Sequence, residues 1–156
     1  MVTRLSLAGL AHHRVLLTGR AFPDLLARLA PFFDVEAAGD GDSSNREALR
    51  ARLAGKSALL DACGIGIDKH LISALPHLKA ICRIGSYAAG LDLDACTRAG
   101  IIVTNTIDAP SDDAGRRDMS LAAADNLIAA FGFGRHAGHP RNMLNPELRC
   151  VLGCCL

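Results

Sequence analysis

Short apolar runs alternate along this chain with stretches in which large apolar residues recur every three or four positions. "RVLLTG" (14–19), "DVEAAG" (34–39), "SALLDACG" (57–64), "LKAICRIGS" (78–86) and "IIVTNT" (101–106) are compact runs, several bounded by Gly, and predict five β-strands. Between them, "FPDLLARLAPFF" (22–33) sets Leu25, Leu26, Leu29 and Phe32 or Phe33 on one helical face, with Pro23 in a first turn. In "GDGDSSNREALRARLAG", Ser44 is the candidate N-cap, Leu49 and Leu53 share a face, and Gly55 is the stop. Asp68 caps "DKHLISAL" ahead of Pro76. Asp92 caps "DLDACTRAG", with Asp94 in its first turn, Arg98 in its last and Gly100 after it.

The order is β-α-β-α-β-α-β-α-β. Strands separated by helices pair in parallel, because a crossover returns the chain to the same end of the sheet, and such crossovers are right-handed. The expectation is a doubly wound, five-stranded parallel α/β sheet. Beyond Asn105 the pattern changes. Ser111 caps a further helix with Asp112 and Asp113 in its first turn, and Ala114, Met119, Leu121, Ala122, Leu127, Ile128 and Phe131 give it an apolar bias that "GRRD" (115–118) interrupts. From Gly132 the many Gly and Pro show no period, and the expectation is an irregular tail.

Composition narrows the function classes. Half of the 156 residues are apolar, aromatics are 4% and Trp is absent, so the core is built from aliphatic residues, as parallel sheets covered on both faces require. The formal net charge is +1 and no basic stripe is present, which argues against a nucleic-acid partner. No apolar run approaches the roughly 18 residues of a membrane helix. The opening "MVTRLSLAGLAHHR" is too short and too weakly apolar for a signal peptide, so a cytoplasmic protein is expected. Cys63, Cys82 and Cys96 sit in apolar segments and are read as reduced thiols. His136, His139, Cys150, Cys154 and Cys155 are donors that zinc accepts, but their spacing matches no common finger and no metal site is assigned. A phosphoacceptor receiver is disfavoured too: "VLLTGRA" carries no acid and no Lys follows "VTNT".

The fourth strand runs into "GSYAAG" (85–90), a loop of small residues that precedes the helix capped by Asp92. Ligands of open α/β sheets bind beyond the carboxyl ends of the strands. Small residues let backbone N–H groups approach a ligand, and a small anion suits such amides, each hydrogen bond to a charged group contributing about 1.5–3 kcal/mol. Two or three would hold a carboxylate, and the Ser86 hydroxyl adds a donor. A plain β-α turn explains the same residues, and the loop alone does not decide between the two.

Residues 71–106 decide it by resemblance. Leu75-Pro76-His77-Leu78-Lys79, Gly85-Ser86-Tyr87, Gly90-Leu91-Asp92, Arg98-Ala99-Gly100-Ile101 and Val103-Thr104-Asn105-Thr106 follow one another in the order found in the D-isomer-specific 2-hydroxyacid dehydrogenases, which this stretch resembles. The resemblance implies a flavodoxin-like substrate domain over residues 1–110, followed over 111–156 by an interdomain-type helix and tail. It implies a small 2-keto or 2-hydroxy acid as substrate, its carboxylate held by Gly85, Ser86 and Tyr87, and NAD or NADP as cofactor, with Asn105 and Thr106 bordering the cofactor site.

Three departures qualify this. Tyr87 stands where the family usually has the second Gly of its loop, and Gly90 replaces the usual Asn. Arg116, Arg117 and Asp118 interrupt a helix that is mostly apolar in the family. Buried unpaired they would each cost several kcal/mol, so they must face water or the helix is shifted. The family's dinucleotide fingerprint and its catalytic Arg, Glu and His have no counterpart here, and "ACGIGIDK" (62–69) lacks the third Gly of that fingerprint. The expectation is a substrate domain truncated before its NAD-binding domain, by a shortened gene or a reading-frame error after about Gly115. No catalytic residue is assigned, and neither tight binding of NAD or NADP nor turnover by this chain alone is expected. The alternative is a non-catalytic flavodoxin-like interaction module whose helix near 111–131 exposes apolar surface; a monomer and a homodimer both remain open.

Overall fold

Val15, Leu16 and Leu17 are completely shielded from water, which a strand achieves only when both faces of its sheet are covered. The computed structural model describes residues 13–38, 45–86, 90–107 and 109–150, without the side chains of 149 and 150. Its order is β1 (His13–Thr18), α1 (Pro23–Leu29), β2 (Phe33–Ala38), α2 (Arg46–Leu53), β3 (Ala58–Asp61), α3 (Lys69–Ser73), β4 (Ala80–Arg83), α4 (Leu93–Arg98), β5 (Ile102–Thr104) and α5 (Asp113–Ala130), then a 3-10 turn over Pro146–Cys150. The sheet runs β2-β1-β3-β4-β5 with every pairing parallel. This is the five-stranded, doubly wound α/β fold that the alternation predicts.

Alternate strand residues feed two cores. Val15, Leu17, Leu60 and Cys82 pack under α1 and α5, whereas Leu16, Leu59, Ile81 and Val103 pack under α2, α3 and α4. Burial raises the Cys82 thiol to about 12 and the Cys96 thiol to about 11, so both stay protonated. Asp68 and Asp92 cap their helices as expected, each accepting a 2.9 Å bond, from the N–H of Leu71 and of Ala95. Ser44 falls outside the described residues; Asn45 caps α2, its carboxamide oxygen accepting from the N–H groups of Glu47 and Ala48. The first helix ends at Leu29 rather than 33, because Pro31 has no N–H to continue it, and Phe33 opens β2 instead.

The helix after β5 differs most from expectation. Asp112, not Ser111, is its cap, accepting from the Gly115 N–H at 2.7 Å. The helix then runs unbroken through 115–118. Gly115 is no interruption, since a Cβ there would lie 2.0 Å from the Pro110 carbonyl oxygen and only glycine allows that approach. Arg116, Arg117 and Asp118 face water. Arg117 pairs with Asp24 of α1, flanked by Arg20–Asp113 at 2.9 Å and Arg28–Asp125 at 3.2 Å. From Arg20, just before α1, to Arg28 within it, these residues step in the same direction as their partners along α5. Exposed pairs each contribute only about 0–1 kcal/mol.

The segment after α5 has no period, yet it is built in. Phe131 and Phe133 pack against Phe33, with Phe131 also against the His13 ring at 4.5 Å. Leu144 N–H donates to the Val103 carbonyl at 2.8 Å. Asn145, fully buried, accepts from Val103 N–H at 2.9 Å and donates to Ile101 C=O at 2.7 Å. One carboxamide thus takes the place of a neighbouring strand along β5. Asn145→Ala leaves two buried backbone groups without partners, at about 1–3 kcal/mol each. Urea unfolding should show that loss with an unchanged m-value.

Burial and the nearby Lys79 charge hold His13 below the ordinary imidazole pKa. Above that ordinary value both folded and unfolded chains keep the ring neutral. As pH falls through about 6.5 the unfolded chain takes up the proton first, so stability drops, and the drop levels off below the folded-state pKa. Thermal melts between pH 8 and pH 5 should show this slope for the native chain and a flatter one for His13→Phe.

Candidate functional site

The carboxyl ends of β4 and β5 lead into two neighbouring segments, 84–86 and 105–107. Gly85 N–H donates to Thr106 Oγ1 at 2.8 Å, and Thr106 N–H donates back to the Gly85 carbonyl at 3.1 Å. Asn105 Nδ2 donates to the Ser86 carbonyl at 2.9 Å. Gly85 has φ +125°, a conformation closed to most L-residues, so its glycine is required by the backbone. Among the expected carboxylate donors, the Gly85 amide is therefore a correction: it is buried and spent on Thr106. Ser86 is exposed beside it, and Tyr87 lies outside the described residues. Asn105 and Thr106 come together with this loop and hold it.

The loop is also held at its far end. Ile67 N–H donates to Gly90 C=O at 2.7 Å and Asp92 N–H to Ile67 C=O at 2.9 Å. Beneath that contact lies a charged pair that sequence reading did not single out as a site. Asp61 ends β3 and Arg83 ends β4, adjacent in register, both with no exposed surface. Their closest approach is 3.6 Å. Asp61 accepts from Thr18 Oγ1, Cys63 N–H and Ile65 N–H at 2.9–3.0 Å, and Arg83 Nη2 donates to Ile65 C=O at 2.6 Å. The signal was present as an Asp and an Arg at the ends of otherwise apolar runs.

A cleft of about 520 Å³ opens beside Ser86, lined by Asn105, Thr106, Ile107, Asn142 and Met143. Across Thr106 and Ile107 lies a second cleft of about 350 Å³, between α5 and the following segment, with Asn126, His136, His139 and Arg141 on its walls. Asn126 joins the two: its Nδ2 donates to Asn105 C=O at 3.2 Å, and its Oδ1 accepts from Arg141 N–H at 2.8 Å. Among the described residues no group of three or more His, Cys, Asp or Glu is placed to hold a metal ion. Cys154 and Cys155 and the side chain of Cys150 fall outside them. In the loop 62–67 the Cys63 and Ile65 amides go to the Asp61 carboxylate and the Ile67 amide to Gly90.

Asp61→Asn removes the charge that compensates Arg83. A broken buried pair costs about 3–5 kcal/mol. Urea unfolding should register that loss, and the double variant Asp61→Asn/Arg83→Met should recover much of it.

Comparison with known proteins gives a consistent picture. The family model for the D-isomer specific 2-hydroxyacid dehydrogenase catalytic domain matches residues 15–137. The glyoxylate reductase of Aeropyrum pernix is 30% identical over 146 residues, 87% of this chain and 44% of its own length. That of Thermococcus kodakarensis is 32% identical over 140 residues, covering 86% and 41%. The chain thus spans less than half the length of these curated relatives. Among solved structures, a protein of Thermus thermophilus superposes with a TM-score of 0.54 at 29% identity, over 60% of this chain and 30% of its own. The NAD+-bound 3-phosphoglycerate dehydrogenase of Entamoeba histolytica does so at 0.50 and 19% identity, over 62% and 33%, a likeness of fold.

Proposed function

Because the chain belongs to the D-isomer specific 2-hydroxyacid dehydrogenase family, we propose that it is the substrate-binding part of an NAD- or NADP-dependent oxidoreductase that interconverts a small 2-keto acid and its D-2-hydroxy acid. The observation that carries this reading is the loop at Ser86, held at the carboxyl ends of β4 and β5 and opening onto a cleft. The substrate carboxylate sits there, beside Ser86. Residues 1–110 carry the loop that binds the acid; beyond them come α5 and a segment that returns to β5 and places Asn142 and Met143 on the wall of the cleft.

A bound NAD or NADP would supply the hydride chemistry of such a reaction. The Cys63, Ile65 and Ile67 amides of the 62–67 loop are spent within the protein, and no part of a cofactor site is proposed there. No chemical step is therefore assigned to this chain's residues; what they do is bind and orient the acid. The setting proposed is the cytoplasm, where Cys82 and Cys96 stay reduced. A homodimer through the surface at Ile107, which is 78% exposed, is the assembly proposed. Sedimentation at two concentrations tests it, and a single monomeric species throughout rules it out.

Titration of the ¹⁵N-labelled chain with oxamate, the inert amide counterpart of a 2-keto acid, checks the binding reading. The amides of Ser86, Asn105 and Ile107 should shift saturably at millimolar oxamate and not with equal chloride. No shift in this set, or saturable shifts elsewhere only, would overturn it. NADH should leave the same amides unmoved, and the chain alone should not oxidise NADH in the presence of glyoxylate.

A further inference from the structure

We infer that Thr106 is a positioning residue for the carboxylate loop, acting through Gly85 rather than touching the acid or the nicotinamide. The inference rests on the substrate reading above and changes what residue 106 does within it. The Thr106 hydroxyl is almost wholly buried and accepts the Gly85 N–H at 2.8 Å; the Thr106 N–H holds the Gly85 carbonyl at 3.1 Å. Two bonds to one residue fix its peptide planes as one bond would not. A trans peptide points its C=O and N–H in opposite directions. Holding the Gly85 carbonyl on Thr106 therefore turns the Ser86 N–H of the same peptide away from Thr106. Asn105 Nδ2 fixes the next carbonyl, that of Ser86, at 2.9 Å. At φ +125° Gly85 sits in a region open to glycine and closed to most L-residues, so the two bonds from Thr106 select this conformation among the several glycine can adopt. Buried bonds of this kind are also stronger than exposed ones.

The test uses the whole chain and two readouts, the oxamate Kd and the Gly85 amide. Thr106→Val keeps the shape and the N–H bond to Gly85 C=O but removes the hydroxyl acceptor; Thr106→Ser restores it. In Thr106→Val without ligand, the Gly85 amide proton should move upfield and exchange faster. Oxamate should bind about tenfold more weakly, the equivalent of one hydrogen bond's free energy. Thr106→Ser should return both readouts to near the native values. Leu53→Ala, in the core under α2, should lower the melting temperature and leave the oxamate Kd unchanged, which separates positioning from stability. If Thr106→Val does not fold, Thr106→Ala carries the same expectations. Equal oxamate binding by the native chain and Thr106→Val would overturn this inference and leave the substrate reading standing. A native chain whose loop does not bind oxamate, with Gly85 protected as described, would overturn the substrate reading and this inference with it.

Discussion

Asp61 and Arg83 lie side by side at the ends of the adjacent strands β3 and β4, out of contact with water. Moving either charge alone into such a place costs several kcal/mol, and the attraction between them offsets this only when their remaining hydrogen-bonding capacity is filled. Here Asp61 accepts three hydrogen bonds and Arg83 Nη2 donates to the Ile65 carbonyl, while Arg83 Nε, 3.6 Å from Asp61, faces the carboxylate beyond hydrogen-bond distance. The loop after β3 is therefore folded around the carboxylate. Through Ile67 it grips Gly90 and Asp92, the far end of the loop that begins at Gly85. An all-aliphatic strand end would have been no less stable in principle, but it would have left residues 62–67 without an anchor and the loop 85–90 tethered at one end.

The parts of the molecule with a period were legible in the sequence. Buried strands and one-sided helices repeat their chemistry every two or every three to four residues, so five strands, their parallel pairing and the caps at Asp68 and Asp92 could be read directly. The parts that depend on one long-range contact could not. Arg116, Arg117 and Asp118 read as an interruption because Asp24, the partner of Arg117, is remote in sequence. Gly115 read as a breaker because nothing local shows that Pro110 backbone occupies the space of its Cβ. Asn145 read as part of an irregular tail because a single side chain replacing a strand leaves no pattern.

The site was half legible for the same reason. The position of the small-residue loop beyond β4 followed from strand order and from the family likeness of residues 71–106. Which of its amides are spent within the protein did not follow, because that depends on how closely the end of β5 approaches. Asn105 and Thr106 were expected, from the family likeness, to border the cofactor site; in the structure they lie beside the loop at Ser86. What the side chains do there, one holding Ser86 and the other Gly85, is a matter of approaches near 2.8 Å that no spacing rule encodes.

The carboxamide of Asn145 lies across the open flank of β5, and Leu144 adds a backbone bond to the same strand. An uncovered outer strand is a template on which a stray peptide or a sister molecule can extend the ladder, the route by which many sheet proteins aggregate into fibrils. On this side the hydrogen-bonding groups of Ile101 and Val103 are taken before any newcomer arrives. Edge-to-edge accretion would have to displace residues 144 and 145 first, which leaves the β2 margin as the flank where resistance to fibril growth must come from elsewhere.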